Sequence, residues 1–381
     1  MKRSGNSRFV PVYQRAGVFV AMVCSLVLIA QAVRADGDEA AAMLQQARDI
    51  IADAQQLTLP SGIDEAMPVA LGGTRQWISV RGRDRDNPIL LFVHGGPAFP
   101  ESPVSWFYQR PWEDYFTVVQ WDQRASGKSV ALNDMETVAP TISIERMVQD
   151  GEELVAFLRQ RYGKSKIFVL GHSWGSVIGL EIARRHPEWL YAYVGMGQAI
   201  NARENERLGY EFALQAAIDD KNDTAIADLQ SIAPYPAPDG SLNVRHILLQ
   251  RKWLIHYGGM TWGRENLAYE KRLGLLSPDY TKTDTAVEQA TNISLQKLLP
   301  ELASMDFSHV ERIDCPVVIL AGEHDYATVT AVAREWIEKL QAPAKTFVLF
   351  KDTAHMIQME APGKLLMHLV NDVRLFAEEQ E

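Results

Sequence analysis

A serine, an acid and a histidine in this sequence have the types, order and surroundings needed for acyl transfer. Ser173 lies in Gly171-His172-Ser173-Trp174-Gly175. Before it, Ile167 to Leu170 is an apolar run of strand length. After it, Val177, Ile178, Leu180 and Ile182 fall at helical spacing. A Gly-x-Ser-x-Gly between a strand and a helix is a nucleophile elbow, in which a sharp turn projects the serine hydroxyl clear of the backbone. The flanking glycines let strand and helix approach closely. The helix start offers backbone N–H donors and a positive dipole end where an oxyanion would form. The competing reading is an ordinary strand-to-helix turn with an incidental serine, so the rest of the chain must decide.

A serine becomes a useful nucleophile only beside a base, and the base needs an orienting partner. Behind an elbow of this type the chain order is serine, acid, histidine. Asp325, in Gly322-Glu323-His324-Asp325 after an apolar strand, is the candidate acid, with Glu323 as the alternate. His355, in Asp352-Thr353-Ala354-His355 after the last strand, is the candidate base. His94 and His172 read as packing or loop-shaping residues, and His324 shares the loop of the acid. The oxyanion hole is expected to combine the N–H of Trp174 with one from His94-Gly95-Gly96-Pro97, Gly96 first and Gly95 second. A simple tight turn is the alternative for that loop. No Cys/His cluster has ligand spacing, and neither a dinucleotide fingerprint nor a phosphate loop occurs, so neither a metal nor a cofactor is expected.

The elements that must position these groups alternate. Gln76–Val80, Pro88–Val93, Phe116–Trp121, Ile167–Leu170, Tyr191–Gly195, Cys315–Gly322 and Lys345–Phe350 read as strands. Helical patterns separate them, including one marked by Ile144 to Leu158 and closed by Gly163, and Pro362–Ala377 reads as the closing helix. Strand runs apolar on both faces imply an open, mostly parallel α/β sheet flanked by helices, with its site at the strands' C-terminal ends. The elbow, His-Gly-Gly-Pro and Asp122-Gln123-Arg124 all fall there. From Ala202 to about Val310 the pattern becomes helical and strand-poor, as expected of a cap inserted over the sheet.

The expected organisation is therefore a signal peptide (1–35), an N-terminal helical segment (36–65), a first core part (66–201), a helical cap (202–310) and a second core part (311–381). The signal reading rests on Lys2, Arg3, Arg8 and Arg15 ahead of an uncharged apolar run, Ala16–Ala30, and on Val33-Arg34-Ala35 before Asp36. The expected location is thus exported, periplasmic or secreted. An uncleaved membrane anchor is the rival. Residues 1–35 hold five basic and no acidic side chains, so cleavage takes the formal charge from −10 to −15. Such acidity excludes nucleic acid as a partner and disfavours anionic membrane, except through an uncleaved leader. Of the two cysteines, Cys24 and Cys315, only the second survives cleavage, so no internal disulfide can form.

Together, His94-Gly95-Gly96-Pro97, Trp121-Asp122-Gln123-Arg124, Gly171-His172-Ser173-Trp174-Gly175-Ser176 and Gly322-Glu323-His324-Asp325 resemble the α/β-hydrolase superfamily. More narrowly, they resemble its prolyl iminopeptidase branch of serine aminopeptidases. The resemblance runs from about Gly73 to the C-terminus and is loose in the cap. Ala98 and Ala125 stand where that branch usually has glycine, and His172 replaces the second glycine of Gly-Gly-Ser-Trp-Gly. The resemblance implies an acyl-enzyme mechanism on small peptides or amides with a free N-terminus. It also implies cap carboxylates that hold the substrate ammonium, for which Glu204 and Glu206 are candidates, with Glu265 and Glu270 behind them. A solvated charged helix face is the plain alternative for Glu204 and Glu206. The rival functions are a carboxylic-ester hydrolase with the same three residues and a non-catalytic hydrolase-fold binding protein.

Overall fold

The computed structural model describes residues 39–280 and 287–378. The segment expected to be a leader lies outside the described residues. The chain divides into two units, Met1–Ala54 and Gln55–Glu381. In the first, residues 39–54 are helical, as the spacing of Met43, Leu44, Ala47, Ile50 and Ile51 predicts. Among the described residues, no helix is long and apolar enough to cross a membrane.

The second unit is built on an eight-stranded sheet: β1 (Ile63–Leu71), β2 (Thr74–Gly82), β3 (Ile89–Val93), β4 (Thr117–Asp122), β5 (Ile167–His172), β6 (Leu190–Met196), β7 (Val317–Gly322) and β8 (Lys345–Phe350). Their spatial order is β1-β2-β4-β3-β5-β6-β7-β8. The β1–β2 and β2–β4 pairings are antiparallel. All pairings from β4 through β8 are parallel. Strand β1 begins inside the segment read from sequence as helical up to residue 65, and that boundary is corrected to Ile63.

Side-chain alternation divides the interior. Leu91, Val93, Val169, Val317 and Ile319 pack on one face of the sheet. Leu90, Phe92, Phe168, Leu170, Val318 and Leu320 pack on the other. Both sets are apolar because helices cover both faces. The first face receives α1 (Ile144–Tyr162) and α2 (Trp174–Arg185). Helix α1 is stopped at both ends by its own sequence. Ser143 Oγ accepts the N–H of Arg146, and Gly163 closes the helix in the left-handed region at φ 66°.

Between β6 and β7 lie α3 (Ala202–Asp219), α4 (Asp223–Ser231), α5 (Val244–His256), α6 (Ala268–Leu275) and α7 (Val287–Ala303). This is the helical region expected over the sheet, and the first three helices share a small apolar core around Tyr210, Leu229 and Trp253. After β7 comes α8 (Thr330–Lys339). The closing helix expected over Pro362–Ala377 is broken. It runs as α9 (Pro362–His368), a π-helical turn at Leu369–Val373 and a last turn at Leu375–Glu378.

Candidate active site

Ser173 joins the end of β5 to the start of α2 with φ 53° and ψ −121°. A non-glycine residue there carries roughly 1–3 kcal/mol of strain, which surrounding contacts must hold. The turn is held by its N–H donating to the Met196 carbonyl (3.0 Å) and by Ser176 Oγ donating to the Ser173 carbonyl (2.5 Å). The two elbow glycines are steric requirements. A Cβ on Gly175 would stand 2.0 Å from the Val93 carbonyl oxygen, and one on Gly171 2.5 Å from that of Gly175. Helix α2 therefore starts pressed against the end of β3. The Trp174 N–H, at the first helical position, has no partner within the helix.

The loops after β7 and β8 bring the candidate acid and base together. His355 Nδ1 lies 2.8 Å from Asp325 Oδ2, with both residues buried. Asp325 Oδ1 accepts the N–H groups of Ala327 and Thr328, both at 2.9 Å. Thr328 Oγ1 donates to Asp325 Oδ2 (2.9 Å) and lies 3.2 Å from His355 Nδ1. The carboxylate is thus fixed by three donors besides the imidazole. The His355 ring abuts the end of β6, where a Cβ on Gly197 would meet its Cε1 and Nδ1 at 3.0 Å. Its centroid is 4.9 Å from that of His172, the residue before Ser173. The alternate acid, Glu323, is an exposed side chain that accepts the Asp352 N–H at 3.3 Å.

Gly95 passes directly over the serine. A Cβ on Gly95 would stand 3.1 Å from Ser173 Cβ, and Gly96 holds φ 120°. The preceding His94 shapes this loop. One ring nitrogen contacts the Gly95 carbonyl at 2.8 Å, and the other faces the Gln123 N–H (3.3 Å) and Ser126 Oγ (3.1 Å). Burial pushes its pKa down to about 4, so the ring is neutral near pH 7.

The Asp-Gln-Arg run contributes braces that the sequence reading did not assign. Gln123 donates to the His94 carbonyl (2.8 Å) and accepts from the Trp174 indole (3.0 Å), tying the glycine loop to the elbow. Arg124 is buried against Asp150 of α1, with Nε 2.7 Å from Oδ2 and Nη2 2.9 Å from Oδ1. Asp122 receives the Lys128 N–H and the hydroxyls of Ser102 and Tyr280. Three consecutive polar residues at the end of a fully buried strand are the signal that could have found them.

The helical region reaches these loops too. The Gly259 and Met260 carbonyls accept from the N–H groups of Tyr326 (3.0 Å) and His355 (3.1 Å). Glu360 spans the same seam, accepting from the N–H groups of Ala354 and Trp262. Burial pushes the Glu360 carboxyl up to about 7.

The suggested ammonium anchors are occupied. Glu204 is half-buried and paired with Arg207 at 2.6 Å, and those hydrogen bonds hold its carboxyl below the ordinary range. Glu206 is buried, paired with Arg251 and bonded to Tyr235. Glu265 is exposed. Glu270 is buried, with one oxygen 2.6 Å from Arg264 and the other without a partner. Among the described residues, Glu323, His324 and Asp352 bring ligand atoms within 4.8 Å of one another. They are partly exposed, and the His324 ring stacks on Trp262 at 3.4 Å.

A family model for the alpha/beta hydrolase fold matches residues 88–362. The chain is 29% identical over 298 residues to the "probable aminopeptidase YbaC" of Bacillus subtilis, covering 77% of this chain and 92% of that one. It is 33% identical over 106 residues to a proline iminopeptidase of Neisseria gonorrhoeae, covering 27% and 30%. The structure is similar to that of a proline iminopeptidase of Mycobacterium smegmatis, with TM-score 0.60, 18% identity and coverage of 83% and 100%.

Proposed function

The chain belongs to the α/β-hydrolase fold family, and on that premise we propose that it is a serine hydrolase working through an acyl-enzyme. The observation that carries this reading is the buried 2.8 Å His355–Asp325 contact, with the His355 ring packed against His172, the residue before the strained elbow serine. In the proposed reaction Ser173 Oγ attacks a substrate carbonyl while His355 Nε2 takes its proton. Asp325 keeps the other ring proton on Nδ1 and stabilises the imidazolium. The Trp174 N–H, with that of Gly96 or Gly95, meets the developing oxyanion. His355 returns the proton to the leaving group, and water then repeats the sequence on the acyl-enzyme.

The proposed substrates are small peptides or amides with a free N-terminus. Support comes from the similarity to the Bacillus subtilis probable aminopeptidase over most of both chains. Of the two suggested anchors, Glu206 carries the proposal further because it is buried, and a substrate ammonium would have to share it with Arg251. That occupancy favours a second reading, a carboxylic-ester hydrolase with no ammonium requirement. Kinetics on aminoacyl-arylamides, their N-acetylated forms and short acyl esters separate the two. The aminopeptidase reading expects arylamide turnover that acetylation abolishes. Ester turnover indifferent to an amine would contradict it.

Export remains part of the proposal. Mature protein recovered outside the cytoplasm should begin at Asp36, whereas an intact Met1 in the membrane fraction would indicate the anchor.

A further inference from the structure

His172 occupies the even register of β5 with Phe168 and Leu170, on the sheet face that also buries Tyr108 and Trp112. Its Nε2 lies 3.1 Å from the carbonyl oxygen of His355. A carbonyl only accepts, so this nitrogen carries a proton and donates it. The opposite nitrogen, Nδ1, lies against Gly95, where a Cβ would be 3.5 Å away. It faces Glu101 Oε1 at 3.6 Å and has no hydrogen-bond partner. Glu101 is itself held by the amide of Gln358 (2.9 Å) and the hydroxyl of Tyr108 (3.1 Å). Glu101 and His172 are each 3% exposed, and Gln358 is 0% exposed.

These contacts join three loops that must agree for acyl transfer. Glu101 follows the glycine loop, His172 precedes the nucleophile, His355 is the base and Gln358 lies three residues after it. The bond from His172 is made to the backbone of the very residue whose ring accepts the serine proton. We propose that His172 is a positioning residue: its Nε2–H fixes the His355 backbone relative to Ser173. The proposal rests on the assignment of Ser173 and His355 as nucleophile and base. It gives a physical role to the residue at which this chain departs from Gly-Gly-Ser-Trp-Gly. A small displacement of a catalytic base can cost about a hundredfold in rate, so one backbone hydrogen bond is enough to matter.

The test compares His172→Phe, which keeps a ring but loses the donor, with His172→Gln, which can return an N–H near the Nε2 position. Steady-state kinetics and the rate of labelling by a fluorophosphonate are read on each, with thermal unfolding as the folding control. The phenylalanine protein should lose about tenfold to a hundredfold in both kcat and labelling rate, with KM within about twofold. The glutamine protein should recover most of that loss. Wild-type rates in the phenylalanine protein, or a glutamine protein no faster than it, overturn the proposal. Should the phenylalanine protein not fold, His172→Met, which also lacks the donor, carries the test, with a fall in kcat at unchanged KM expected and an unchanged kcat contradicting it. A failure of the underlying reading looks different: Ser173→Ala would then still be labelled.

Discussion

At the scale of single residues, Ala98 and Ala125 show what the departures from glycine mean. Both hold the left-handed region, at φ 56° and 57°. An L-residue pays about 1–2 kcal/mol there, while glycine costs about 0.4–1 kcal/mol in unfolded-state entropy. Ala98→Gly and Ala125→Gly should therefore each stabilise the fold by about 0.5–1 kcal/mol. Denaturant unfolding checks this, and a lowered midpoint would show that neighbouring contacts outweigh the backbone strain. The elbow serine, its candidate acid and its candidate base were all legible in the sequence, because each follows an apolar strand and so advertises its place. Glu101 and Gln358 were not. They are isolated polar residues, one in a loop and one in a single helical turn, and only folding reveals that both are buried around His172. Glu206 could be placed on the helical region but not paired, because Arg251 lies 45 residues away.

At the scale of elements, the elbow is a contact between the backbones of β3 and α2. Gly175→Ala would drive a methyl to 2.0 Å from the Val93 carbonyl. Overpacking against main chain cannot be relieved by a rotamer change, so a loss of about 3 kcal/mol or more is expected, with the serine turn displaced. Chemical denaturation measures it, and a near-neutral substitution would mean that the strand and helix can separate. The strands apolar on both faces were the readable ones. Strand β1 was missed because it is an edge strand, paired only with β2, part-exposed and interrupted by Pro68. The closing helix was read as continuous because a π turn leaves the apolar residues in place while changing the hydrogen-bond register.

At the scale of the whole molecule, the helical region and the loop bearing His355 meet through Glu360, whose two oxygens accept from Trp262 and Ala354. Its carboxyl is raised by burial from 4.5 to about 7. A carboxyl with a higher value when folded binds its proton more tightly in the folded state. Its contribution is therefore greatest below the unfolded value and is lost as the pH climbs toward about 7. Glu360→Gln, which cannot titrate, should flatten the fall in thermal midpoint across that range. An unchanged slope would assign the pH dependence elsewhere. Cys315, buried and pushed up to about 12, adds no thiol chemistry near neutrality.

The central claim is that Ser173 is a nucleophile activated by His355. Intact-mass measurement after fluorophosphonate treatment tests it most directly. One adduct, mapped to the peptide bearing Ser173 and absent from Ser173→Ala and His355→Ala, is the predicted result. An unlabelled wild-type protein, or an adduct that survives in Ser173→Ala, would contradict it.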